Sequence, residues 1–402
     1  MTTVNNYLAG GVNSPISFPT HYPSDIISGT GAYVINKDGE KYIDLWMGYG
    51  ALLHGHQHET EKHSIKEQLD NGWFFSYPTV LEKKLAKKLH ELIPSADLVR
   101  FSTSGSDAVA YAIRISRQYT NRQAVLAIDG GYHGVHENMI STAGTLSAQT
   151  PDLTRFNAID ETIEKIRSKK YACIILEPIL ANNGCVPPQE GFLQAVRQAC
   201  TESGTVLIFD EVVVGFRTSL HGAQSLFGVT PDLTTFSKAI AGGLPLSAVC
   251  GKREVMQQLT PQGEVFFAGT FNGSPISLAN ALGILKTLED EYPYEEMSKF
   301  RQRLSDQLLG SARRHGIELA IQGIASMMSL AFDCTAYTHG VSIANANADK
   351  YTKFADYMAN RKNILLPPLF TETFFLAPVH IELESTLVKA FDEGFRWLSQ
   401  QK

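Results

Sequence analysis

No apolar run in the chain is long enough to span a bilayer. The opening M-T-T-V-N-N-Y has neither the basic n-region nor the apolar h-region of a signal peptide, so a cytoplasmic protein is expected. Cysteine is scarce. Cys173, Cys185, Cys200, Cys250 and Cys334 are scattered without C-x-x-C spacing. An odd count in apolar settings such as A-C-I-I fits reduced, buried thiols and not a disulfide framework. The spacing shows no metal-ligand cluster, and no metal is expected. A basic surplus is also missing: 35 Lys and Arg stand against 41 Asp and Glu, a net charge of −6. That argues against a nucleic-acid backbone as partner, which needs a basic face. Internal repeats and low-complexity tracts are absent.

What is present is ordinary globular composition, 44% hydrophobic and 19% charged over 402 residues, enough for a large core and more than one domain. Alternating runs flank Asp38-Gly39, a hairpin signal. M-G-Y-G-A-L-L-H-G-H (47–56) is a glycine-rich loop where the backbone could pass close to a ligand, or a plain loop with two histidines. Residues 59–91 read as helix, broken near Tyr77-Pro78. Short strands then alternate with helices. Strands are expected at 98–101, in 124–134 ahead of its glycines, in 171–179 up to Glu177-Pro178, and at 205–209, 233–236 and 247–251, and helices at about 105–117, 190–203 and 276–288. Beyond about residue 290 long helical periods return, with strand-like pieces at 326–332 and 373–381 and a last helix at 384–399. The expected architecture is α/β: a large domain (46–290) with a mostly parallel sheet, and a smaller α+β domain from residues 1–45 and 291–402.

Several strand ends carry polar groups. Ser104-Gly105-Ser106-Asp107 gives a strand, a glycine turn and a helix start. That geometry offers free N–H groups to a phosphate, or simply caps a helix. Tyr132 and His133 follow another strand, where an aromatic could stack on a flat ring or merely pack. Glu177 ends a continuous apolar strand of the kind covered on both faces. Asp210 closes the next, at the edge where open α/β sheets bind ligands. Lys238 follows the strand 233–236, just ahead of Gly242, Gly243 and Pro245. Burial and neighbouring positive charge can lower a lysine pKa enough for Schiff-base chemistry. Phosphate cradle, stacking ring, carboxylate and lysine are together the set that pyridoxal phosphate needs.

The chain resembles the class III (fold type I) pyridoxal-phosphate aminotransferases, and among them most the glutamate-1-semialdehyde 2,1-aminomutases. The likeness rests on G-V-N-S-P, the D-G-x-x-Y-I-D hairpin, S-G-S-D-A, G-Y-H-G, the E-P strand end, F-D-E-V-x-x-G-F-R, S-K-A-I-A-G-G-L-P and A-G-T-F-N-G-S-P, in order along residues 11–275. It implies a seven-stranded, mostly parallel sheet and a homodimer. It also implies roles. Lys238 would form the Schiff base and shuttle the proton, Asp210 would pair with the ring nitrogen, and Tyr132 and Val212 would cover the ring faces. Ser104, Gly105 and Ser106 would hold the phosphate, with His133 and Glu177 beside the cofactor and Gly269 and Thr270 reaching it across the subunit interface. Ser14, Ser17, Tyr49 and Asn182 would line the substrate side.

Two departures stand out. Ser17 falls where the aminomutases carry an arginine that grips a carboxylate, a loss on the order of a few kcal/mol. F-T-E-T-F (370–374) replaces the family's F-E-A-G-F, so a carboxylate has moved or gone. The expected function is therefore a ping-pong aminotransferase acting on a keto or aldehyde group of a less anionic, biosynthetic substrate such as a sugar. An intramolecular aminomutase, a related racemase or epimerase, and a catalytically silent binding protein are the alternatives.

Overall fold

The computed structural model of the chain describes residues 7–9, 12–14, 23, 25–136, 150–334 and 346–401. The described strands, in chain order, are β1 (Ile26–Thr30), β2 (Tyr33–Asn36), β3 (Lys41–Asp44), β4 (Leu98–Ser102), β5 (Ala124–Ile128), β6 (Asp152–Thr154), β7 (Tyr171–Leu176), β8 (Val206–Asp210), β9 (Leu233–Phe236), β10 (Ser247–Gly251), β11 (Leu319–Ile324), β12 (Met327–Phe332), β13 (Ile364–Leu365) and β14 (Phe374–Phe375). They make a seven-stranded sheet in the order β4-β10-β9-β8-β7-β5-β6, a four-stranded sheet β1-β2-β3-β13 and a three-stranded sheet β11-β12-β14. In the large sheet, only β10 runs against its neighbours. This is the mostly parallel seven-stranded sheet of fold type I.

Alternation along the strands explains the layers. Val125, Ala127, Cys173, Ile175, Val206 and Ile208 pack with the helix Gly105–Thr120. The intervening Leu126, Ile128, Ile174, Leu176, Leu207 and Phe209 pack with the helices Ile159–Arg167 and Phe192–Ser203. Both faces are thus dry, which is why β7 and β8 read as continuous apolar runs. Each buried Val, Leu, Ile or Phe among them contributes roughly 1.5–3 kcal/mol by leaving water. Because β4, β5, β7, β8 and β9 point the same way, their carboxyl ends share one edge.

The hairpin forms between β2 and β3, with Gly39 at φ +81°. β3 then pairs in parallel with β13, so an early segment and a late one share a sheet. The expected helix 59–91 is two helices, Glu59–Asp70 and Val80–Leu92, the second opened by a Thr79/Glu82 capping box. Of the expected strand 373–381 only Phe374–Phe375 pairs in a sheet. Pro378, which has no N–H for a ladder, opens the 3-10 turn Pro378–Leu383 instead. β11 was not foreseen.

Candidate active site

The first wall of the site grows from β4. Ser104 caps the helix Gly105–Thr120: its hydroxyl accepts from the Asp107 N–H at 3.2 Å, and the Asp107 carboxylate accepts from the Ser104 N–H at 3.1 Å. The N–H groups of Gly105 and Ser106, in the first turn, have no intrahelical partner. They form the kind of terminus that binds anions. A Cβ on Gly105 would lie 3.0 Å from Val212 Cγ1 and 3.5 Å from Ser237 Cβ, so only glycine lets these three loops meet unstrained. The Ser106 hydroxyl accepts from the Val135 N–H at 3.2 Å, drawing the loop after β5 over the helix end.

Asp210, at the end of β8, is held from three sides. Its Oδ1 accepts from the Val212 N–H and the Thr235 hydroxyl, each at 3.1 Å, and its Oδ2 lies 2.7 Å from His133 Nδ1. His133 Nε2 is buried and has no hydrogen-bond partner. Glu177, at the end of β7, binds two loops together. It accepts from the Tyr132 N–H at 3.2 Å, from the Ala181 N–H at 3.1 Å and from the Asn182 amide at 2.8 Å. Burial pushes its carboxyl up to about 7, against the pull of His133.

Lys238 follows β9 with φ +49°, a left-handed conformation unusual for a residue with a side chain and common where the surrounding structure enforces function. Among the described residues its amine has no hydrogen-bond or ion-pair partner. Burial lowers its pKa, opposed by the carboxylates of Glu372, Glu177 and Asp210. A lowered pKa leaves more neutral amine at a given pH, which nucleophilic attack on a carbonyl requires.

Gly105, Ser106, Tyr132, His133, Glu177, Asn182, Asp210, Val212 and Lys238 line one cavity of about 200 Å³. Other expected residues lie off that lining. Ser104 is engaged in its cap, and Ser14 is half-buried elsewhere. Gly269 and Thr270 are exposed on a loop tied to the β4 end by the Thr103 hydroxyl, which donates to Asn272 Oδ1 at 3.1 Å. Tyr49 packs on Trp46, ring centroids 4.0 Å apart, within a run of left-handed residues from Met47 to Gly50. Ser17 lies outside the described residues.

Sequence reasoning gave no role to Glu372 or Arg217. Glu372 sits within electrostatic reach of Lys238 and Tyr132, and its Oε2 accepts from the Trp46 indole N–H at 3.3 Å. Burial raises its pKa, opposed by Lys238. The displaced acid of F-T-E-T-F was the available signal. Arg217 is fully buried. Its guanidinium donates to the carbonyls of Gly50, Leu52 and Leu376 and to the Ser326 hydroxyl, and lies 4.9 Å from the Phe375 ring centre. A spatial group that spacing along the chain did not show is His54, His58 and Glu61, which the fold brings together.

The donor set fits pyridoxal phosphate: helix-end N–H groups for the phosphate, a carboxylate and an unpaired imidazole nitrogen along the floor, and an unpartnered amine. Together with the strand order, these features define a pyridoxal-phosphate enzyme of fold type I. The class III aminotransferase model matches residues 19–350, and the chain belongs to that family. It is 38% identical over 388 residues to a glutamate-1-semialdehyde 2,1-aminomutase of Saccharolobus islandicus, covering 92% of this chain and 90% of that one. An omega-transaminase from Sphaerobacter thermophilus superimposes with a TM-score of 0.89 at 28% identity, over 99% of this chain and 96% of that one. A transaminase with PLP bound gives 0.87 at 25% identity, over 98% and 96%. The protein is thus a pyridoxal-phosphate-dependent enzyme of the aminotransferase and aminomutase kind. Among the described residues no helix is long and apolar enough to cross a membrane.

Proposed function

We propose that this chain transfers an amino group between two separate substrates, in ping-pong order, and that its acceptor is a keto or aldehyde compound less anionic than glutamate-1-semialdehyde. The observation that carries the substrate reading is the make-up of the cavity wall, where the carboxylates of Asp210 and Glu177 stand with Lys238. Glu372, Glu177 and Asp210 favour the charged form of the Lys238 amine, which burial disfavours and the buried Arg217 opposes. No arginine lines the described cavity to receive a substrate carboxylate. A substrate carboxylate brought in here would lose water and find no arginine to pair with, so an anionic substrate is disfavoured.

When bound, pyridoxal phosphate supplies an aldehyde that captures amines and a conjugated ring that takes up the electron pair released at the substrate carbon. The N–H groups of Gly105 and Ser106 would hold its phosphate. Tyr132 and Val212 would hold its ring, and Asp210 the ring nitrogen. Lys238 would hold its aldehyde and then carry a proton at Nζ to and from the substrate. His133 and Thr235 fix the Asp210 oxygens, and Glu177 fixes the loops that carry Tyr132 and Asn182.

A homodimer is part of this reading. Trp73, Phe74, Phe75, Tyr77, Phe266 and Phe271 are exposed, with the Phe74 and Phe271 ring centroids 5.9 Å apart. Apolar surface of that extent favours a partner, and Gly269 and Thr270, beside Phe271, would contact the second copy's cofactor phosphate. The β3–β13 pairing supports a small domain made from residues 1–45 and 291–402 beside a large one at 46–290. Five free cysteines, four of them buried, support a reducing, cytoplasmic setting.

An intramolecular aminomutase is the second reading, favoured by the name of the 38% identical relative. Steady-state turnover separates the two. Amino transfer from a separate amine to a neutral aldehyde or ketone is the expected result. Efficient turnover of glutamate-1-semialdehyde with no added amine would overturn it.

A further inference from the structure

His54, His58 and Glu61 make a compact group away from the cofactor cavity. One ligand atom from each lies within 4.8 Å of the others. His54 and Glu61 are each 7% exposed, while His58 is half-buried, which leaves a way in from solvent. The two imidazoles stack with centroids 4.4 Å apart. His54 Nδ1 lies 3.2 Å from Glu61 Oε1. His54 Nε2 and His58 Nδ1 are buried with no partner. The His54 and Tyr292 rings also meet edge to face, centroids 5.5 Å apart, with the Tyr292 hydroxyl buried.

Buried polar atoms in folded proteins nearly always have partners, and an exception calls for an explanation such as an ion. A hydrogen-bonded histidine–glutamate pair alone explains one ring nitrogen of His54. It leaves the other nitrogen, and that of His58, unexplained. Two imidazoles and a carboxylate are a ligand set of borderline divalent metals, with zinc–ligand bonds of roughly 2.0–2.2 Å in a tetrahedron.

The group also touches the catalytic turn. Gly242, left-handed at φ +55°, ends the turn Lys238–Ala241, and a Cβ there would lie 2.8 Å from Glu61 Oε2. The Asn280 amide donates to the Ala241 carbonyl at 3.0 Å from the next helix.

We propose that His54, His58 and Glu61 bind a divalent metal ion of the zinc type, with Tyr292 or water completing the shell, and that the ion braces the turn bearing Lys238 from beneath. It takes no part in amino transfer. The cofactor chemistry does not require it, so its role is structural.

The test uses the holoenzyme, stripped with a chelator and dialysed, then titrated with Zn²⁺ alone and separately with Co²⁺. The expected result is about one ion bound per chain, a visible Co²⁺ spectrum of a four-coordinate site and a rise in Tm of a few degrees. His58→Ala should lose all three. His63→Ala should keep them, because His63 is an exposed residue on the same helix. If His58→Ala loses the cofactor absorbance that marks a folded enzyme, His58→Gln takes its place. Absence of stoichiometric uptake by the wild type, or uptake by the His58 variant equal to the wild type, would overturn the proposal.

Discussion

The side of the site that carries Asp210 and Lys238 is made of strand ends from one sheet, whereas the side beyond the cavity lining, where Trp46 and Glu372 meet, is made of loops from distant parts of the chain. On the first side Asp210 is the last residue of β8 and Lys238 follows β9 by two residues, both fixed by the ladder and, for Asp210, by short bonds such as that to His133. On the second, Asp44 accepts from the N–H groups of Trp46 and Met47, and Arg217 clamps Gly50 and Leu52 to Leu376 and Ser326. The first side therefore depends on the sheet, and the second on one buried cation. A family can keep the former unchanged while the latter is rebuilt for a new substrate.

Variants can sharpen or break that division. Lys238→Ala should have the largest effect, a fall in turnover of about 10⁴-fold or more, since a positioned proton carrier alone is worth roughly 10²–10⁴; stopped assays of purified protein read it. Arg217→Ala should come next. Leaving three carbonyls and a hydroxyl without their donor costs about 3 kcal/mol or more of stability, seen as a lower Tm. The variant that remains folded should raise the acceptor KM while retaining cofactor affinity. Equal damage to cofactor binding would erase the distinction between the two sides. Asp210→Asn should weaken cofactor binding and slow turnover by on the order of 10²-fold, because a charge-assisted partner is lost. Glu372→Gln should do least to the basal rate. It should shift the ratio of kcat/KM values for a carboxylate-bearing and an uncharged acceptor about 10-fold toward the former, by removing one like charge.

The same division decided how much could be read from the sequence. β9 and β10 and the positions of Asp210 and Lys238 were legible because a strand, a glycine turn and a helix start are local signals. The final helix was legible from its period. Glu372 and Arg217 were not, because their meaning depends on contacts across more than a hundred residues of chain, as with Arg217 to Leu376. Trp46 carries no local pattern at all. β11 escaped because its exposed and buried positions do not alternate cleanly. The strand expected at 373–381 failed at Pro378, where a missing N–H outweighed an apolar run. The histidine set was overlooked for a related reason: His54 precedes the helix that carries Glu61, and only the turn between them closes the group.

Borohydride reduction of the pyridoxal-phosphate-loaded enzyme, followed by peptide mapping in a mass spectrometer, tests the central claim most directly. The account predicts a single pyridoxyl label, on the peptide that contains Lys238. A label on another lysine, or none after full loading, would contradict it.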